Sequence, residues 1–424
     1  MINNVHPRGL TTTPRAFHRY GLGLFAVAAG IVVLFTLVNT RVNPIAVTPT
    51  PWSDPGFREY RPIYRYQRTA KAGLLRSEPW STVFLGSSRI DIALDPEHPD
   101  WGDTRTVNLA LSAGTLPEAA AMFDYAAQRQ DIGLTIVGID LADLTSRFSL
   151  MHTAGFMESP LNRNGDKIER ELRYYSGIST FEASIRAITA RSSGKLPEYT
   201  PHGHRLRHRT PENVRHVLHR DSIPHAIRFV RERKAAYGLE PVKVDALRSI
   251  IDTAKQENCR LVIAIPPNHA AYLSVFFLEN DPDPAFRLDR ETITRLAAEA
   301  DAAYPDTPPV EIWDFNGFHP LNAEELPPES DPGAQMHWWM DGTHALKSLG
   351  DVMLARIMDW PGLEDSATDY GTRIDATTLD SHLDTIRAGY QQYRSTHPAD
   401  WNWVCDTILH YSSTGELPDG AVDR

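Results

Sequence analysis

Apolar residues along this chain fall into two kinds of run. The first kind is short and continuous: Thr82–Leu85 (TVFL), 107–111 (VNLAL), 134–139 (LTIVGI), Arg260–Ile265 (RLVIAI) and 310–314 (VEIWD). Four to six such residues closed by Gly, Ser, Pro or Asp predict strands buried on both faces of a parallel sheet. The second kind has helical spacing and lies between the strands, at 116–128, 244–257, 290–303 and 345–358. Strand and helix therefore alternate, which predicts an α/β fold with a parallel sheet of about five strands and helices on both faces.

One further run stands apart. Residues 20–40 (YGLGLFAVAAGIVVLFTLVNT) hold no charged residue, and about 20 apolar residues cross a bilayer as a helix. Arg8, Arg15 and Arg19 precede it without an acidic residue, so the positive-inside bias leaves 1–19 in the cytoplasm. The main domain then lies outside the inner (cytoplasmic) membrane, in the periplasm where the cell has one. A cleaved signal peptide is the rival reading, but its apolar core is usually shorter, and no small-x-small site follows here. A single-pass anchor is expected. Residues 41–64, proline-rich and without period, read as an extended tether.

After the tether, 65–143 opens the α/β domain and 244–360 completes it. Between them, 144–243 breaks the alternation and reads as a helical insertion. From 163 to 234 it carries 16 Lys/Arg against 8 Asp/Glu, in a chain whose net charge is −11. The overall charge argues against a nucleic-acid binder. The basic insertion is expected to be solvated and able to meet an anionic polymer or lipid head groups. It also holds His202, His204, His208, His216, His219 and His225. HxH and HxxH pairs can bind zinc, but no cysteine or clear ligand carboxylate accompanies them, and no metal site is assigned. Residues 361–424 form an acidic, partly helical extension, packed outside or loosely tethered. The two cysteines, Cys259 and Cys405, are either a disulfide or two inert thiols.

Candidate chemistry sits at two ends of the domain. The first strand runs into Gly86, Ser87 and Ser88. Ligands in open α/β sheets bind beyond the carboxyl ends of strands, so a hydroxyl there is either a nucleophile or the cap of the next helix. Some 250 residues later, Asp341 and His344 stand three apart within WWMDGTH. That spacing lets a carboxylate reach the histidine Nδ1 and leaves Nε2 to take a proton from a hydroxyl. Arg89 could hold an anion or form a plain salt bridge. His269, following Pro-Pro at the end of the fourth strand, could touch substrate or be a loop histidine. Trp338 and Trp339 could stack on sugars, with core packing as the default.

Gly-Ser-Ser after the first strand with Asp-x-x-His near the end resembles the SGNH (GDSL-type) hydrolase superfamily. The Gly-Ser-Ser form is similar to its membrane-anchored cell-envelope branch, which includes alginate acetylation and D-alanyl transfer proteins. The resemblance implies a three-layer α/β/α sandwich (SGNH/flavodoxin-like) and a triad of Ser88, His344 and Asp341. The family's second block resembles 108–114 (NLALSAG), where Ala113 or Gly114 would offer an oxyanion amide. Its third block, Gly-x-Asn-Asp, falls at Gly138, Ile139 and Asp140. An ionised Asp has no donor, so Asp140 is protonated, another donor replaces it, or the centre is slow. The implied function is an esterase or O-acyltransferase on a cell-surface polysaccharide, drawing on an acyl donor and needing no cofactor. The alternative is a catalytically inactive SGNH-like module in an envelope export complex.

Overall fold

The computed structural model describes residues 14–146, 154–207, 212–227, 238–278 and 284–414. Arg8, His208 and the basic residues at 209, 228, 231, 233 and 234 lie outside them. The chain opens with α1 (Pro14–Val42), a helix long and apolar enough to cross a membrane, with its large side chains exposed along most of its length. The stretch after it is not a free tether. Asn43, Ile45, Val47 and Thr48 are buried, and Ile45 and Val47 join Ile63, Ala70, Tyr174, Ala183 and Tyr199 in one apolar cluster. A lack of periodicity says nothing about burial when the packing partners are far away in sequence, which is why these residues look like a linker.

The domain proper is mixed α/β with one six-stranded, mostly parallel sheet. After α2 (Gln67–Ser77) come β1 (Thr82–Leu85), α3 (Ser88–Ala93), β2 (Thr106–Asn108), α4 (Leu116–Ala127) and β3 (Leu134–Gly138). β4 (Arg260–Ile265), β5 (Glu311–Asp314) and β6 (Thr372–Arg373) complete the sheet in the order β2-β1-β3-β4-β5-β6. The first five strands are parallel and β6 is antiparallel. β1 and β3 are buried at every position, as their uninterrupted apolar runs require. The chain leaves β1 for β2 on one side while β3 pairs on the other, so the order reverses at β1. Crevices form at such points beyond the strand ends.

Two glycines let α3 approach the sheet there. Gly86 has φ +137°, and a Cβ on it would lie 3.0 Å from the Gly138 carbonyl. A Cβ on Gly138 would fall 2.2 Å from Ile90. Only residues without a side chain bring the helix this close.

The insertion and the extension are both part of this body. α5 (Lys167–Ser176) and α6 (Ile178–Ser192) pack against α1. The next segment straps the outer edge of β2, where Asn108 N–H donates to the His202 carbonyl (2.9 Å) and Arg205 N–H donates to the Asp91 carbonyl (2.9 Å). Covering an edge strand removes a site of unwanted pairing. The C-terminal residues add β6 beside β5 and bury Tyr370, Leu383, Ile386 and Tyr390. They also bring His382 onto Asp314, which accepts from Arg290 Nε (2.7 Å) and from the His382 ring (2.9 Å). Cys259 and Cys405 are both free thiols.

The insertion histidines part company. His204 Nε2 lies 2.8 Å from the Ile92 carbonyl, His202 stands edge-on to Trp80, and His219 lies against Trp403. Among the described residues no three His, Cys, Asp or Glu side chains converge as ligands would.

Candidate active site

The two serines after β1 divide the roles that the sequence leaves open. Ser87 is the N-cap of α3: its Oγ accepts from the Arg89 N–H (3.2 Å) and donates to Asp140 Oδ1 (2.9 Å). Ser88 is the first residue of the helix, and its Oγ lies 2.8 Å from His344 Nε2. The capping demand thus falls on the first serine, and the second hydroxyl is left to the imidazole.

His344 is held from behind by Asp341, whose Oδ2 lies 2.8 Å from Nδ1. The other carboxylate oxygen accepts the backbone N–H groups of Thr343 (2.8 Å) and His344 (2.9 Å). Burial raises the pKa of Asp341, but the adjacent His344 ring and these N–H groups outweigh it and hold the carboxyl well below its usual range. Asp341 is therefore ionised at any working pH. It accepts from Nδ1–H, which fixes the tautomer and leaves the Nε2 lone pair facing Ser88. Flanking bonds close the 340–344 loop: Met340 N–H to the His344 carbonyl (3.0 Å) and Leu346 N–H to the Trp338 carbonyl (2.8 Å). Gly342 is wedged against Leu218 and Ser222, so residues of the insertion support the loop that carries the histidine.

The two amides expected to face an oxyanion, Ala113 and Gly114, differ in their bonding. Gly114 N–H is taken up by the Leu111 carbonyl (2.8 Å), whereas Ala113 N–H has no acceptor among the described residues. Ala113 has φ +50°, a left-handed conformation that costs a non-glycine residue of order 1 kcal/mol. That turn is pinned by α2: Arg68 donates to the Ser112 and Ala113 carbonyls (3.3 Å each), and Gln67 accepts from Ser112 N–H (2.8 Å). As the first residue of α3, Ser88 also has no carbonyl one turn back for its own N–H. Ser88, Ala113 and Asp140 line one cleft of about 190 Å³, room for a small acyl group.

Three candidate residues take other roles. Asp140 is not an oxyanion donor: it accepts from Ser87 and sits 3.6 Å from Arg89 Nε. Arg89 also donates to Asn268 Oδ1 (2.7 Å), so it lines the cleft as a clamped side chain, its charge opposed by Asp140. His269 is fully buried and caps the helix Ala270–Ser274. Its Nδ1 accepts from Ala271 N–H (3.2 Å) and Nε2 bonds the Glu324 carbonyl (2.8 Å). Its ring is enclosed with both nitrogens bonded, and it is linked to the 340–344 loop through its backbone, whose N–H donates to the Gly342 carbonyl (3.1 Å). Trp339 is core, donating to the Leu321 carbonyl, and Trp338 is half-buried beside it.

Burial lowers the His269 pKa from 6.5 to about 4. The unfolded chain takes that proton near pH 6.5 and the folded one only near pH 4. Stability is therefore complete above the first value and lost as pH falls toward the second. The loss by pH 4 is about 3 kcal/mol. Urea midpoints measured across this range should show the decline, and His269→Gln should flatten that share of it.

Asn268 and the strap residues escape sequence reasoning. Asn268 is buried between Arg89 and Asn316, and a polar residue after Pro-Pro at a strand end is the one signal that points to it. Asn108 holds α3 instead of facing the cleft, its Nδ2 donating to the Ile90 and Leu94 carbonyls (2.9 Å each). A larger cavity, about 930 Å³, lies elsewhere, between α2, α5 and α6, and contains no member of the triad. No protein-family model matches this chain, and no curated protein matches it in sequence.

Proposed function

We propose that the protein is a membrane-anchored, extracytoplasmic serine esterase or O-acyltransferase of SGNH type, acting on acyl groups of a cell-surface polysaccharide. The observation that carries the reading is the unbroken relay from Ser88 Oγ to His344 Nε2 and from His344 Nδ1 to Asp341, at 2.8 Å each. Strand order and flanking helices fit a three-layer α/β/α sandwich of flavodoxin type, whose crevice coincides with this relay. The arginines before α1 favour a cytoplasmic N-terminus in the inner membrane and a periplasmic domain.

In this mechanism Ser88 Oγ attacks the acyl carbonyl while its proton passes to His344 Nε2. The oxyanion draws on the Ala113 and Ser88 amides, and the imidazolium on Asp341. The carbonyl re-forms as the ester C–O bond breaks, and His344 returns its proton to the leaving alcohol. Water or a sugar hydroxyl then gives its proton to His344, attacks the acyl-enzyme and frees Ser88. A cleft of about 190 Å³ suits an acetyl-sized group.

A fluorophosphonate probe tests the reading. The wild type and Ser87→Ala should be labelled, and Ser88→Ala should not. Absence of label from folded wild type would favour an inert, polymer-binding module, a reading supported by the use of Asp140 as an acceptor.

A further inference from the structure

We propose that the α5–α6 hairpin is a membrane seat, lying in the interface of the leaflet from which α1 emerges; this rests on α1 crossing the bilayer. The hairpin is fastened to the end of α1. Phe35 stacks on Phe181 with ring centroids 4.1 Å apart, and Asn39 donates to the Tyr175 carbonyl (3.0 Å) and accepts from Ser184 Oγ (2.9 Å). A hydrocarbon layer of ~30 Å consumes about 20 helical residues. Counted from Tyr20, where the uncharged run of α1 begins, that length ends at Asn39. The attachment from Phe35 to Asn39 therefore lies where hydrocarbon gives way to head groups.

What the hairpin presents at that level is aliphatic. Ile168 and Leu172 on α5 are 74% and 61% exposed, four residues apart. On α6, Ile178, Ile185 and Ile188 are 65%, 45% and 37% exposed, in the same stripe as Phe181. The opposite side of α6 is small and buried: Thr180, Ala183, Ser184 and Ala187. A helix on a soluble surface does the reverse, burying its large aliphatics and showing its small polar residues. Here the large residues face outward beside a membrane helix, as in helices that lie 5–10 Å deep in the interface. Basic side chains accompany them. Lys167 and Arg186 are exposed with no acidic partner among the described residues, which suits anionic head groups.

The test uses the full-length protein in nanodiscs of phosphatidylcholine and phosphatidylglycerol. Single cysteines replace Leu34, Leu172, Ile178, Ile185 and Leu409 in a Cys405→Ser background, each carrying an environment-sensitive fluorophore; Cys259 is buried and stays unlabelled. Leu409, 66% exposed on the C-terminal helix, is the aqueous control. Brominated lipid should quench Leu34, Ile178 and Ile185 several-fold more than Leu409, with Leu172 between. Quenching at Leu34 with hairpin sites matching Leu409 overturns the seat and leaves the span. Hairpin sites shielded from both brominated lipid and aqueous iodide mean that a second copy covers the face, which also overturns it. No quenching at Leu34 removes span and seat together.

Discussion

On the proposed mechanism, His344→Ala should lower turnover of a nitrophenyl acetate substrate by ~10⁴-fold or more with KM nearly unchanged, as expected for a group whose proton transfer belongs to the transition state. The fold should survive. His344 is not a core residue, about a fifth of its side chain being exposed, and Asp341 keeps the Thr343 N–H and hydroxyl as donors. A loss of about 1 kcal/mol in urea unfolding is the scale expected for the missing hydrogen bonds. Asp341→Asn should lower kcat steeply too, because an amide can donate to Nδ1 and turn the Nε2 proton toward Ser88, the wrong tautomer for a base. Retention of full turnover by His344→Ala would remove the relay from the mechanism, whatever the probe labels.

Lys71→Met destabilises the protein by about 3–5 kcal/mol. Lys71 is completely buried, and its Nζ lies 2.7 Å from Asp91 Oδ1, 2.8 Å from the Asn108 carbonyl and 2.5 Å from the Gly203 carbonyl. Three acceptors require three N–H bonds, so the amine is an ammonium here even though burial pushes its pKa down. Without it Asp91 is a buried charge left with the Tyr199 hydroxyl and a long contact to Ser112. The thermal unfolding midpoint should fall by about 5 °C. The double variant Lys71→Met/Asp91→Leu should recover part of the loss, since removing both charges costs less than stranding one. Asp91 stands one turn after Ser88 on α3, so Lys71→Met should also lower kcat. A variant as stable as wild type would show that this ion pair contributes nothing net.

Much of the sheet could be read from the chain, and the reason is physical. TVFL and the LVIAI of β4 are buried on both faces, so composition and structure coincide there. β6 has only Thr372 and Arg373, both exposed, and pairs through backbone plus one long ion contact from Arg373 to Glu311 (3.9 Å). No side-chain pattern could announce it. The pairing of Ser88 with His344 was visible because each lies at a punctuated strand end or loop of recognisable spacing. Which of two adjacent serines caps α3 goes with a hydrogen bond to Asp140 in the loop after β3. The burial of His269 and the docking of the strap against β2 depend likewise on contacts between distant segments. Asp140 shows the limit from the other side. Its position after β3 matched a donor's place, but Arg89 and Ser87 determine what it does.

The packing of residues 43–48 against the domain has one more consequence. A catalytic head on a slack leash samples a dome of positions above its anchor and can meet substrate at any height within reach. With Asn43 and Thr48 bonded to each other (3.0 Å) and Arg61 donating to the Asn43 carbonyl (3.1 Å), this head has no slack. Once α1 is in a bilayer, Ser88 travels sideways with the lipids at one altitude, and on the proposed function a polymer would be modified only where its strand passes through that plane.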